Sequence, residues 1–149
     1  MTNKNAAFRQ LDNEILPAVV ERLRTGFLVV LIGASGSGKS VLSQKALPSA
    51  RVISGLDGPV QATGLMDSDF IGDELYDQVA PDESIRYRNQ ALALGHRVIF
   101  TAQRWQDVVP HVAALEMSRY TVFDLNRVGE RHGRAYHLQN PIPSSVLAN

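Results

Sequence analysis

Leu28-Val29-Val30-Leu31-Ile32-Gly33-Ala34-Ser35-Gly36-Ser37-Gly38-Lys39-Ser40-Val41-Leu42 runs from apolar, β-branched residues through a glycine-rich turn into a segment that begins Lys-Ser. The apolar run reads as a strand covered on both faces, and the segment from Lys39 as a helix. Glycines at 33, 36 and 38 let the backbone N–H groups turn inward, where a Cβ would obstruct them. A helix N-terminus directly after such a turn adds the positive end of its dipole. Strand, glycine turn and helix in this order predict a loop that cradles a phosphate chain.

Within that loop, Gly33, Ala34, Ser35, Gly36, Ser37, Gly38, Lys39, Ser40 and Val41 are the expected nucleotide-binding residues. Lys39 is expected to reach the β- and γ-phosphates. Ser40 is expected to offer its hydroxyl to Mg²⁺, an ion that takes few protein oxygens and completes its shell with phosphate and water.

The remaining chain supplies the elements such a loop needs. Phe8, Leu11, Ile15, Leu16, Val19, Val20 and Leu23 recur at helical spacing, bent or restarted at Pro17, and Thr25-Gly26 ends them. Strands are expected at 27–32, 51–53, 69–75, 98–102 and 120–125, with an edge strand at 135–138. Helices are expected from 39 to just before Pro48, around 85–94 with Arg86, Arg88 and Asn89 on the polar side, and over 107–117. Alternating strands and helices predict an α/β fold with a mainly parallel central sheet and ligand at the carboxyl ends of the strands. Residues 1–149 suit a single domain, with 1–25 as a helical lead-in and 126–149 as a basic loop and irregular tail.

Asp69-Phe70-Ile71-Gly72-Asp73-Glu74-Leu75 is a short apolar strand running into two adjacent acids. Asp73 is assigned to support Mg²⁺ and Glu74 to polarise the attacking water. The alternative is a solvated strand end or helix start, with Asp69 or Asp67 as the metal-side acid. Gln103, at the end of the Val98–Ala102 strand, is a sensor of the γ-phosphate or its water, or a polar residue opening the next helix. Arg127, Arg131 and Arg134 lie in a glycine-containing stretch; Arg131 and Arg134 read as a finger toward a neighbouring subunit's nucleotide, a lid over the chain's own, or a solvated turn. Trp105 reads as a core anchor, and the four histidines show no metal-binding spacing.

Bulk properties narrow the classes. Lys plus Arg number 15 and Asp plus Glu 15, so no global charge draws the chain to nucleic acid or membrane. There is no cysteine, which removes disulfides and thiolate metal sites and agrees with a cytoplasmic, reducing setting. No apolar run approaches the ~18 residues that would span a bilayer, so direct membrane insertion is not expected. No Asn-Lys-x-Asp run reads guanine, which favours ATP over GTP.

Gly36-Ser37-Gly38-Lys39-Ser40-Val41, the Asp73-Glu74 pair and Phe100-Thr101-Ala102-Gln103-Arg104 together resemble the FtsK/HerA branch of P-loop ATPases. That resemblance implies a three-layer P-loop NTPase fold in which an extra strand separates the loop strand from the acid-bearing strand. It implies ATP and Mg²⁺ as ligands, Lys39 and Ser40 on phosphate and metal, Asp73 on the metal, Glu74 as general base and Gln103 as sensor. It further implies a small motor or assembly ATPase of plasmid or phage type, working on DNA or a protein partner, and a homo-oligomeric ring in which an arginine crosses between subunits. The gap from Lys39 to Asp73 is shorter than usual in that branch, and the chain has no room for a DNA-gripping domain. A small P-loop kinase, suggested by the likeness of Gly133-Arg134-Ala135-Tyr136-His137 and Asn140-Pro141 to an adenylate kinase lid, and a nucleotide-gated binding switch remain open beside it.

Overall fold

The computed structural model describes residues 11–26, 28–34, 36–54, 68–75, 81–112, 119–125 and 137–138. A turn of π-helix, Leu11–Ile15, passes into α1, Leu16–Arg24, with Pro17 in its first turn. Proline is tolerated there because the first-turn N–H groups have no partner within the helix. The restart expected at Pro17 is therefore present as a change of helix type. There follow β1 (Leu28–Ile32), α2 (Lys39–Ala46), β2 (Arg51–Ser54), β3 (Phe70–Asp73), α3 (Pro81–Ala93), β4 (Val98–Ala102), α4 (Trp105–Val112), β5 (Tyr120–Asp124) and β6 (His137–Leu138).

The strands form one sheet in the order β2-β3-β4-β1-β5-β6. Strands β1 to β5 are all parallel, and β6 joins β5 antiparallel at the edge. This is the α/β architecture expected from the alternating pattern. All five residues of β1 and of β4 are buried, as the unbroken apolar runs require of strands covered on both faces.

Alternation along the strands divides the core in two. Leu28, Val30, Phe70 and Phe100 face Tyr87 and Ala91 of α3 and Trp105, Val108 and Val112 of α4. Val29, Leu31, Ile71, Ile99 and Phe123 face Val19 and Leu23 of α1 and Leu42 and Ala46 of α2. Trp105 is buried and stacks on Tyr120 at 6.0 Å, a core anchor as expected.

Two expectations about the helices are corrected. Arg88 is not on a polar face: it is 1% exposed, and its Nη1 donates to the His111 carbonyl at 2.9 Å, tying α3 to α4. Burial lowers its pKa from the usual guanidinium value. The helix expected over 107–117 begins earlier, at Trp105, and Pro110 lies inside it. His111 is buried, and its Nδ1 lies 2.5 Å from Ser84 Oγ.

Candidate nucleotide site

The C-terminal edge of the sheet gathers the residues singled out by motif. β1 ends at Ile32, and the Gly33 N–H donates to the Ala102 carbonyl at 2.9 Å, pinning the start of the loop to the end of β4. The Ser37 N–H donates to the Ala34 carbonyl at 3.0 Å, which closes the turn. Gly36 and Gly38 take φ of +83° and +94°, values that side-chain-bearing residues rarely adopt. At Gly33, a Cβ would lie 2.2 Å from Ser37 Oγ and 2.9 Å from Ser37 Cβ, so the Ser37 side chain can pack this close only against glycine.

Gly38 is the N-cap of α2 and offers no side chain to its first-turn amides. Ser37 Oγ is buried and has no hydrogen-bond partner among the described residues. An orphaned hydroxyl and helix amides without a side-chain cap are features suited to phosphate oxygens. The donor set is likewise suited to Mg²⁺, one hydroxyl and one carboxylate beside a phosphate position.

Four side chains from two elements meet at this edge. Lys39 Nζ lies 2.8 Å from Glu74 Oε1, and both side chains are more than nine-tenths buried. Ser40 Oγ donates to Asp73 Oδ1 at 3.0 Å. Neighbouring residues on a strand point to opposite faces, so Asp73 and Glu74 would ordinarily diverge. Glu74 instead takes φ of +50°, the one non-glycine residue described with a positive φ. That turn brings both acids to the first turn of α2.

The Asp73-Glu74 pair is thus not a solvated strand end. Asp69, its alternative, precedes β3 at the opposite edge of the sheet, about 13 Å away at strand rise. There it accepts from the Arg97 backbone N–H at 2.8 Å and from Arg97 Nη2 at 2.7 Å. Burial pushes the Asp69 pKa up, but the hydrogen bonds and charge of Arg97, with His96, outweigh it and hold it below the ordinary value. Asp67 lies outside the described residues.

Gln103 stands exposed just past β4, one residue beyond the carbonyl that receives Gly33. Val41 is 59% exposed on α2. Ser35, Arg131 and Arg134 lie outside the described residues. Among the described residues no group of three or more His, Cys, Asp or Glu could hold a metal ion by itself. No helix among them is long and apolar enough to cross a membrane.

One residue at this site lies in the Phe100–Arg104 run but is given no role by the sequence. Thr101 of β4 is opposite Asp73 in the parallel register, and its Oγ1 donates to Asp73 Oδ1 at 2.7 Å. The Glu74 N–H reaches both the Thr101 carbonyl, at 3.1 Å, and Thr101 Oγ1, at 3.2 Å. A threonine inside an apolar strand reads as β-propensity until the register is known.

Comparison with protein-family models, with curated proteins and with solved structures gave no match.

Proposed function

We propose that the chain is a Mg²⁺-dependent ATPase of the phosphate-loop kind, a three-layer domain that binds and hydrolyses ATP at the C-terminal edge of its sheet. The observation that carries this reading is the meeting of Lys39 and Ser40 with Glu74 and Asp73 across two separate elements. The strand order supports it, since β4 stands between β1 and β3 as the resemblance to the FtsK/HerA branch implies.

In this account the loop amides and Lys39 hold phosphate oxygens, and Ser40 and Asp73 hold the metal directly or through its water. Bound Mg²⁺ supplies charge neutralisation at the phosphate oxygens. Glu74 takes a proton from water as the water oxygen bonds to the terminal phosphorus and the bond from that phosphorus to the ADP oxygen breaks. Gln103 orients that water or the terminal phosphate. A carboxylate base beside the loop lysine favours water over a bound acceptor as the nucleophile, and so hydrolysis over kinase chemistry.

The working form is a small motor or assembly ATPase acting on DNA or a protein partner. Steady-state phosphate release from ATP and Mg²⁺ tests this, with wild type and Glu74→Gln, with and without single- and double-stranded DNA. Release that DNA stimulates and Glu74→Gln abolishes is the expected result. Transfer of labelled phosphate to a small acceptor would move the assignment to a kinase, and binding without turnover to a nucleotide-gated switch.

A further inference from the structure

We infer that Thr101 is a positioning residue that locks the two acids of the site into one unit. The inference rests on the ATPase reading and adds to it a residue that neither the loop motif nor the acid pair includes.

The geometry is specific to a hydroxyl. Thr101 Oγ1 has one proton, and it is given to Asp73 Oδ1 at 2.7 Å. The same oxygen accepts from the Glu74 N–H at 3.2 Å. One side-chain atom is therefore bonded to the carboxylate of one acid and to the backbone of the next. Asp73 Oδ1 also accepts from Ser40 Oγ, so both hydroxyls converge on a single carboxylate oxygen and fix the carboxylate's rotation.

The bond to the Glu74 amide matters because of the backbone there. A φ of +50° is an unfavourable conformation for glutamate, costing on the order of 1 kcal/mol or more, and it persists only where its surroundings enforce it. The Thr101 carbonyl and hydroxyl grip the amide on the near side of that turn, and the Lys39 ammonium grips the carboxylate on the far side. Thr101 is 1% exposed, so water is not at hand to replace its hydroxyl. Valine at 101 would keep the shape of the strand and delete both bonds; serine would keep both.

Thr101→Val and Thr101→Ser are compared with wild type by amide hydrogen exchange at Glu74, by calorimetric titration of ADP with and without Mg²⁺, and by steady-state phosphate release. In Thr101→Val the Glu74 amide is expected to exchange faster, and ADP affinity without metal to stay unchanged. The tightening caused by Mg²⁺ and the kcat are expected to fall about 10- to 100-fold, the usual cost of losing a partner that orients a ligand. Thr101→Ser restores all three. Should Thr101→Val fail to fold, Thr101→Ala against Thr101→Ser makes the same comparison. Faster exchange at Glu74 with metal-dependent affinity and kcat unchanged would overturn the inference alone. A wild-type protein that neither binds ADP with Mg²⁺ nor releases phosphate would overturn the ATPase reading, and this inference with it.

Discussion

Glu74→Gln is expected to bind ADP more tightly than wild type. Lys39 Nζ and Glu74 Oε1 are 2.8 Å apart with side chains only 6% and 8% exposed, so a phosphate that takes Lys39 competes with Glu74 for the same ammonium. The gross attraction at that separation is about 6 kcal/mol at an effective dielectric constant near 20, and desolvation of the two ions offsets much of it. Glutamine keeps an oxygen for the lysine to donate to but removes the charge. A charge-assisted hydrogen bond contributes about 1.5–3 kcal/mol and a neutral one about 0.5–1.5, so the contact weakens by roughly 1–1.5 kcal/mol. That difference returns to the nucleotide as a roughly 5- to 13-fold lower Kd. Calorimetric titration with ADP reads it without interference from turnover. Equal or weaker binding by Glu74→Gln would refute the competition between phosphate and Glu74. Glu74→Ala supplies a second check: it leaves a buried ammonium without its carboxylate and is expected to lower stability by about 3–5 kcal/mol in denaturant unfolding.

Three further outcomes follow from the same geometry. Gly72→Ala puts a Cβ 2.5 Å from the Phe100 ring and 2.8 Å from Leu75 Cδ1, and is expected to destabilise by about 1–3 kcal/mol; an unchanged denaturation midpoint would contradict this. The native pKa of Asp69 is depressed, so its contribution to stability is complete above the ordinary carboxylate value near 3.8 and is lost as pH falls through the lower native one. Asp69→Asn should therefore be less stable than wild type near neutrality, with the gap closing in that acid range; a gap independent of pH would contradict the assignment. Ser40→Ala should leave metal-free ADP binding intact and lose the tightening caused by Mg²⁺, measured by the same titration; full retention would remove Ser40 from the metal site.

How much of this could be read before the fold was known differs from residue to residue. The strand, loop and helix from Leu28 to Ala46 were readable because their signals are local: an unbroken apolar run, glycines at set positions and Lys-Ser at a helix start. Asp73 and Glu74 could be named as acids at a strand end, but a period-2 pattern sends them to opposite faces. Only the positive φ at Glu74 brings them together, and no residue type announced it. Gly72 is the clearance that the Phe100 ring requires, a need that no local pattern in the strand announces. The role of Thr101 was invisible because it comes from the register of β3 against β4, a pairing across 28 positions of chain. Arg88 was assigned by its charge to the solvent, where tertiary packing against α4 put it in the core.

The most direct test of a nucleotide site at this edge is a titration of the wild-type protein with ADP and Mg²⁺, followed through backbone amide resonances. The account predicts shifts at Gly36, Ser37, Gly38, Lys39 and Ser40, with secondary shifts at Asp73 and Glu74, and none at Asp69 or Arg97 on the far edge of the sheet. An absence of shifts at saturating nucleotide, or shifts centred on Asp69 and Arg97, would contradict it.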